Sequence, residues 1–494
     1  MDMLEKPRLK ISSTFLWIVS TVVLSALFIL ASAPLAMAQN KDQEAKQYTS
    51  MLQNVFEFIQ RHYVEDVDPK KLYEGAMTGL FNSLGDPYSV FLKESEMTDL
   101  SENVIQGSYG GVGLYISKPS GERPDGKPAY VEVASPIEDT PGWRAGLQPG
   151  DLIIEINDEP TDKLSMDDVL ARLKGPAGQQ VRLLVRRGKG LEFPVTITRA
   201  VIEVPTVKQD MIGNIGYVRL ISFSPMTVER TREALDKFKT EGYKSLIVDL
   251  RNNYGGLLQA AVGVSDFFLE GGVVVSVKSR ISSENAVFNA RRTTMVPADI
   301  PIVVLINRGS ASASEILAGA LKDRGRAYLV GEKSFGKGSV QQVYPLDKTG
   351  FKITTARYYT PSDVNIDKIG IPPDMEVLLP EFTSEDSEKL SKLIIAGKIP
   401  SFVEENPKAD PSQTDQFARS LSAEYSLDLT LIKRLVRDEQ NRTSIAPVYD
   451  LEYDVQLQEA VNILRGDAYN ALMKTSKTLK ALQEEASEEE ALAS

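Results

Sequence analysis

Along residues 39–105 the apolar side chains recur every three or four positions. Leu52, Val55, Phe56, Ile59 and Tyr63 share one helical face. Asp68-Pro69 then sets a cap and a first-turn proline before a second helix, whose apolar face holds Leu72, Ala76 and Leu80 and which "LGDPYSVFL" ends. Residues 106–200 change period. "GVGLYI", "AYVEVA", "DLIIEIN", "VRLLVRR" and "PVTITRA" are short β-type runs broken by glycine, with one helix in "SMDDVLARLKG". They predict a small, partly open β barrel. Residues 201–380 alternate again: "IGYVRLISF", "SLIVDL" and "IPIVVLIN" each precede an amphipathic stretch, and "FKITTARYYTPS" adds a long strand. That alternation predicts a layered α/β domain with helices packed on a sheet. Residues 381–483 return to helical spacing, with Leu457, Val461, Leu464, Ala468, Leu472, Leu479 and Leu482 as one apolar stripe. The stripe packs on the rest of the chain, forms a subunit interface, or does both. The last stretch, residues 484–494, "EEASEEEALAS", is predicted to be a disordered acidic tail.

Composition narrows the chemistry. Net charge is −12 over 494 residues, with no long Lys/Arg cluster after residue 40, which argues against a nucleic-acid binder. Cysteine is absent, so disulfides, thiol nucleophiles and cysteine metal sites are excluded together. The one histidine, His62, lies in "FIQRHYVEDV", far from the serine-rich segment, and reads as a surface or helix-end residue. A hydrolase built on this chain takes its base from another residue type, and no metal or cofactor is implied. At the start, Lys6, Arg8 and Lys10 precede an apolar run from Phe15 to Ala33, followed by Ala36 and Ala38 in an A-x-A arrangement. Residues 1–38 therefore read as a signal peptide or a membrane anchor. Either assignment places the remainder outside the cytoplasm, in the periplasm or cell envelope.

Residues 331–341, "GEKSFGKGSVQ", nearly spell a phosphate-binding loop. They fail it twice. Gly338 stands where a magnesium-holding Ser or Thr belongs, and "SVQQVYPL" reads as a strand where the loop requires a helix. Lys337 is then either an exposed loop lysine or a partly desolvated amine able to act as a base. Ser312, in "NRGSASASEILAGAL", stands between a strand and a helix. It is either the cap of a Ser312-x-x-Glu315 capping box or a nucleophile exposed at the sheet edge beside free helix-terminal amides. A Ser-Lys pair is one alternative to Ser-His-Asp. "DLRNNYGG", residues 249–256, also follows a strand, and its glycines either bring amides to the same place or make an ordinary turn.

Taken together, "GSASASE", "SFGKGSVQ", "DLRNNYGGLL", "IGIPPD" and "VDPKKLYEGAMTGLFNSLGDPYS" resemble the C-terminal processing peptidases, or tail-specific proteases, over about residues 45–380. The resemblance implies a crotonase/ClpP-like α/β core. It also implies a serine endopeptidase with catalytic Ser312, Lys337 and Gln341, and an oxyanion hole from Ala313 and one of Gly255 and Gly256. Tyr254 departs from the proline usual in the family, which removes one source of stiffness from that loop. Residues 106–200 resemble the family's PDZ domain, with Gly111, Val112, Gly113 and Leu114 as the carboxylate loop that captures substrates by their C-termini. Homo-oligomerisation through the helical termini and a lipoprotein adaptor are further expectations of the resemblance. A catalytically silent PDZ adaptor is the competing reading.

Overall fold

The computed structural model describes residues 43–100, 108–118, 129–137, 140–188, 191–378, 384–407, 409–440, 447–466 and 468–493. The predicted export segment lies outside them. No helix among the described residues is long and apolar enough to cross a membrane. The chain divides into two units, Met1–Phe91 and Leu92–Ser494.

The first unit is helical, over 43–62 and again over Pro69–Asn82. Asp68 caps the second helix as expected, its carboxylate accepting the Lys70 N–H at 2.8 Å. His62 ends the first helix, exposed, with its ring 4.4 Å from that of Phe58.

In the second unit, the strands Leu114–Ser117, Val131–Pro136, Leu152–Ile156, Gln180–Arg187 and Leu191–Thr198 form an antiparallel sheet in the order written. Their inward residues, among them Val131, Val133, Ile153, Ile156, Val181 and Val185, make a core with Val169 and Leu173 of the helix Met166–Leu173. Ser165 and Asp168 cap that helix reciprocally. A strand pair, Ser108–Gly111 with Ala200–Glu203, joins the entry and exit of this domain.

The larger sheet runs Val207–Ile212, Ile215–Leu220, Ser245–Asp249, Ile302–Ile306, Tyr328–Gly331, Met375–Glu376. Its first pair is antiparallel and the rest are parallel. Central strands buried on both faces need continuous apolar runs, and "SLIVD" and "IVVLI" supply them. Leu246, Val248, Ile302, Val304 and Ile306 face the helices Pro225–Glu241, Leu258–Ser265 and Ala313–Asp323. Ile247, Val303 and Leu305 face Leu457, Ala460 and Val461 of the helix Val455–Arg465. A second, antiparallel sheet includes Gly272–Ser279, Ala286–Ala290, Ser339–Leu346 and Thr349–Tyr359. The α/β core with a PDZ-type insertion and helical ends is thus present.

One expectation for the C-terminal region needs correction, and another is refined. The apolar stripe is spread over several helices. It breaks at Gly466, the C-cap of Val455–Arg465, and again between Met473 and Leu479. Leu457, Val461, Leu464 and Leu472 cover one sheet face, whereas Leu479 joins the core on the other, its N–H donating to Asp323 Oδ1 at 2.7 Å. Packing on the chain itself therefore accounts for these residues. Ala468 is exposed. The acidic stretch expected to be disordered instead continues the helix Leu479–Ala493. Glutamate, alanine and leucine are good helix formers, and the pairs Lys477–Glu485 and Lys480–Glu484 offset the negative charge. The helices Ser384–Ile395, Lys398–Glu405, Pro411–Tyr425 and Leu429–Gln440 enclose a separate small core around Leu393, Leu421 and Ile432.

Candidate active site

Ser312 sits at the turn between the strand Ile302–Ile306 and the helix Ala313–Asp323. Its backbone is held at φ 55°, ψ −113°, outside the regions a serine prefers. Such strain costs on the order of 1–3 kcal/mol and persists only where surroundings enforce it. Here they do. The Ala311 N–H donates to Asn253 O at 3.0 Å, the Ser314 hydroxyl donates to the same oxygen at 2.8 Å, and the Ser310 hydroxyl donates to Leu250 O at 2.8 Å. Glu315 supplies its half of the expected capping box, accepting the Ser312 N–H at 2.8 Å. Ser312 itself is half-buried.

The loop after the strand Ser245–Asp249 lies against this turn. Gly255 (φ 100°) could not carry a side chain: a Cβ there would stand 2.8 Å from Ser312 Cβ and 2.9 Å from Ala313 N. The Gly255 N–H is spent on Asn253 Oδ1 at 2.9 Å. The N–H groups of Gly256 and Ala313 donate to no acceptor among the described residues.

Lys337 lies in the loop before the strand Ser339–Leu346, against the same turn. The Phe335 N–H donates to Ser310 O at 3.0 Å, and the Tyr358 hydroxyl donates to Lys337 O. Both flanking glycines serve close approach, since a Cβ on Gly336 would stand 2.9 Å from Gly370 N and one on Gly338 2.5 Å from Asp367 N. That explains "GKG" without any phosphate. Gln341 follows a register shift in the strand. Its side-chain amide donates to Ser339 Oγ at 2.9 Å and Thr354 Oγ1 at 3.2 Å, so both of its N–H bonds are spent and Oε1 stays an acceptor.

Sequence reasoning gave Glu315 only a capping role. It is fully buried, and its carboxylate gathers four donors. Oε2 accepts the N–H groups of Ser312 (2.8 Å) and Lys337 (2.9 Å). Oε1 accepts the Gly336 N–H (2.7 Å) and the Ser334 hydroxyl (2.5 Å). Burial pushes the Glu315 carboxyl above the ordinary glutamate range, against the pull of these donors. Asn253 was also missed. Only the S-x-x-E spacing hints at the first, and nothing local hints at the second, because their partners come from distant segments.

In the smaller domain, Gly111 ends a strand, Val112 and Gly113 form a turn, and Leu114 begins the next strand. The Val112 carbonyl accepts the Gly142 N–H at 2.7 Å; the Gly113 carbonyl accepts the Ile137 N–H at 2.9 Å and the Thr140 hydroxyl at 3.0 Å. In a trans peptide N–H and C=O point opposite ways, so the N–H groups of Gly113 and Leu114 are turned away from these contacts. Leu114–Ser117 is also an edge strand among the described residues.

A strained serine at a strand-to-helix turn, free amides beside it and a lysine loop pinned to the same carboxylate define, in this fold, a PDZ-containing serine peptidase. Residues 214–377 match peptidase family S41, residues 132–187 the PDZ domain, and residues 14–96 the activating protease CtpB N-terminal domain. The chain is 36% identical over 371 residues to the carboxy-terminal-processing protease of Bartonella bacilliformis, covering 74% of this chain and 82% of that one. It is 32% identical over 372 residues to carboxy-terminal processing protease CtpA of Bacillus subtilis, covering 74% and 77%. Among solved structures, a photosystem II D1 C-terminal processing protease aligns at 31% identity over 66% of this chain and 92% of its own, with a TM-score of 0.39. This chain belongs to the family of carboxy-terminal processing proteases.

Proposed function

We propose that this chain is an exported endopeptidase that captures protein C-termini through its PDZ domain and cleaves by a Ser312–Lys337 acyl-enzyme route. One observation carries the reading: a single carboxylate oxygen, Glu315 Oε2, accepts the backbone N–H groups of both Ser312 and Lys337. The backbone nitrogens of residues 312 and 337 are thereby held within two hydrogen-bond lengths of each other, on the two segments that carry the nucleophile and the base. Lys337 is half-buried between two glycines, and it serves as the base in its neutral form. That amine takes the proton from Ser312 Oγ as the oxygen adds to the scissile carbonyl. The resulting oxyanion receives the N–H groups of Ala313 and Gly256; Gly255 is excluded because its amide already serves Asn253. The Lys337 ammonium then gives its proton to the departing amine, and water, deprotonated by the same lysine, releases the acyl group. Gln341 Oε1 orients the lysine by accepting from its Nζ.

The PDZ loop supports tail capture. The amides of Gly113 and Leu114 offer two donors to a terminal carboxylate, and the edge strand Leu114–Ser117 offers a partner for an extended tail. Gly111 and Val112 lead the backbone into that turn. Export rests on the basic-then-apolar N-terminal sequence. Assembly through helical termini is supported by the exposed apolar side chains Leu52, Val55 and Phe58 of the helix over 43–62. The test is labelling with a fluorophosphonate, read by intact mass and peptide mapping, beside turnover of an unstructured peptide. Ser312→Ala should lose both the adduct and the turnover while keeping its fold. A peptide-cleaving Ser312→Ala protein, or a wild type that never labels at Ser312, overturns the reading; the latter result would favour a silent adaptor.

A further inference from the structure

We infer that Asp454, in the C-terminal helical region, is a positioning residue for the peptidase reaction, acting through Arg251 on the loop that ends in Gly255 and Gly256. The inference rests on the reading that this loop supplies an oxyanion amide. Arg251 lies four positions before Gly255 and its side chain is only 12% exposed. Its guanidinium holds two carboxylates at once. On one side it donates to Asp249, Nε to Oδ1 at 3.0 Å and Nη2 to Oδ2 at 2.7 Å. On the other it donates to Asp454, Nη1 to Oδ1 at 2.8 Å and Nη2 to Oδ2 at 2.6 Å, with Nη1 also reaching Gln456 Oε1 at 3.1 Å. Asp249 is fully buried and accepts the Tyr217 hydroxyl at 2.7 Å. The two-toothed contact with Asp454 fixes the plane of the guanidinium as well as its position.

The next residue transmits that constraint. Asn252 sits at φ 58° and exchanges hydrogen bonds with Asn307: its N–H donates to Asn307 Oδ1 at 2.9 Å, and Asn307 Nδ2 donates to its Oδ1 at 3.0 Å. Asn307 begins the turn that carries Ser312. The oxyanion loop and the nucleophile turn are therefore one hydrogen-bonded unit, and Arg251 ties its base to the C-terminal helix. Beside Arg251 lies a cavity of about 410 Å³ lined by Arg219, Asn252, Asn307 and Asp454. A guanidinium freed from Asp454 has room to swing into it, and the loop then loses its fixed base.

Asp454 also caps the helix Val455–Arg465, accepting the Leu457 N–H at 3.0 Å. Asparagine caps about as well as aspartate but cannot offer two acceptors or a charge to an arginine. Asp454→Asn therefore separates the two roles. The comparison variant is Asp450→Asn, which weakens the Arg437–Asp450 pair lining the same cavity and removes no hydrogen bond of Arg251 among the described residues. Both are assayed in the full chain, at a temperature where circular dichroism shows each folded. Asp454→Asn should slow fluorophosphonate acylation of Ser312 and peptide kcat about tenfold, with KM within about twofold, while Asp450→Asn keeps the wild-type rate. Wild-type acylation in Asp454→Asn, or an equal loss in Asp450→Asn, overturns the inference while leaving the serine-lysine reading intact. A wild type that does not acylate at Ser312 sinks both.

Discussion

Glu315 is where one substitution should separate folding from chemistry. In Glu315→Gln the side chain keeps its shape but one acceptor oxygen becomes a donor. Suppose the amide nitrogen takes the place of Oε1. The Ser334 hydroxyl can then turn to accept, though it already receives the Ile371 N–H at 2.7 Å. The Gly336 N–H cannot turn, and it faces a donor in a site with no exposure. One stranded buried donor costs about 1–3 kcal/mol, and the bonds that remain weaken by about 1 kcal/mol as the acceptor loses its charge. The opposite placement strands the Ser312 and Lys337 amides together and is worse. The expected loss is about 2–5 kcal/mol, or a fall in Tm on the order of 10 °C.

The chemical loss should exceed what that destabilisation explains. The lysine loop hangs on Glu315 through two amides and on Ser310 through a third, so a displacement of about 1 Å at Lys337 is expected and costs about a hundredfold in kcat. Glu315→Asp divides the roles further. An aspartate at this third helical position can still reach the Ser312 N–H as a cap, but it is one methylene too short for the loop. It should keep more of the Tm than Glu315→Gln and still lose most of its turnover. The assay is peptide hydrolysis well below Tm, beside calorimetry on the same samples. A Glu315→Asp protein with wild-type kcat would show that the carboxylate only caps the helix, and the argument would fall.

Three more expectations follow from the same geometry. Lys337→Arg should be as inactive as Lys337→Ala, since an arginine stays protonated; substantial turnover by the arginine variant would make residue 337 an electrostatic contact. Amidating the C-terminus of a long peptide should raise its KM, because a carboxamide offers no full charge to the amides of Gly113 and Leu114; equal KM for acid and amide would refute tail recognition. Glu203 and Arg230 form a two-toothed pair at 2.7 and 2.6 Å between the strand leaving the PDZ domain and a core helix, and hydrogen bonds from Arg230 hold the Glu203 carboxyl below its ordinary range. A lowered carboxyl contributes stability above its unfolded pKa and loses it as pH falls through the lowered one. Both side chains are about one-third exposed, so Glu203→Gln should cost only about 1 kcal/mol at neutral pH, with the Tm gap closing below the ordinary carboxylate range; a gap constant down to that range would discount the pair.

What the sequence displayed and what it concealed divide along the range of each interaction. Central strands such as "IVVLI" announce themselves because burial on both faces demands apolar residues throughout, and Asp68-Pro69 announces a helix start because its cap is local. "GKG" could be separated from a phosphate loop for the same reason: the residue after the lysine and the strand that follows are both local. The acceptor for that loop was not visible. Glu315 precedes Lys337 by 22 positions, and its second role exists only once the helix and the loop meet. The C-terminal stripe misled in a related way. Spacing records that Leu457, Val461 and Leu479 are buried, but not that the break between Met473 and Leu479 sends them to opposite faces of one sheet.

Tyr254 shows how a local departure can be harmless for a nonlocal reason. The side chain points into solvent, 75% exposed, and contributes nothing to the stiffness that a proline there would give. Asn253, beside it and fully buried, does the holding. Its Oδ1 takes the Gly255 N–H, its Nδ2 donates to Leu220 O at 2.8 Å, and its carbonyl receives both the Ala311 N–H and the Ser314 hydroxyl. These four hydrogen bonds tie one residue to its own loop, the neighbouring strand Ile215–Leu220 and the nucleophile turn. The loop is thus held by the folded surroundings of Asn253 rather than by residue 254. The difference falls on the unfolded chain, where a tyrosine leaves more backbone freedom to be lost, about 1 kcal/mol on the scale of such substitutions. The cost falls on stability, while the Gly255 amide stays held by Asn253 Oδ1 and not by the exposed Tyr254 side chain.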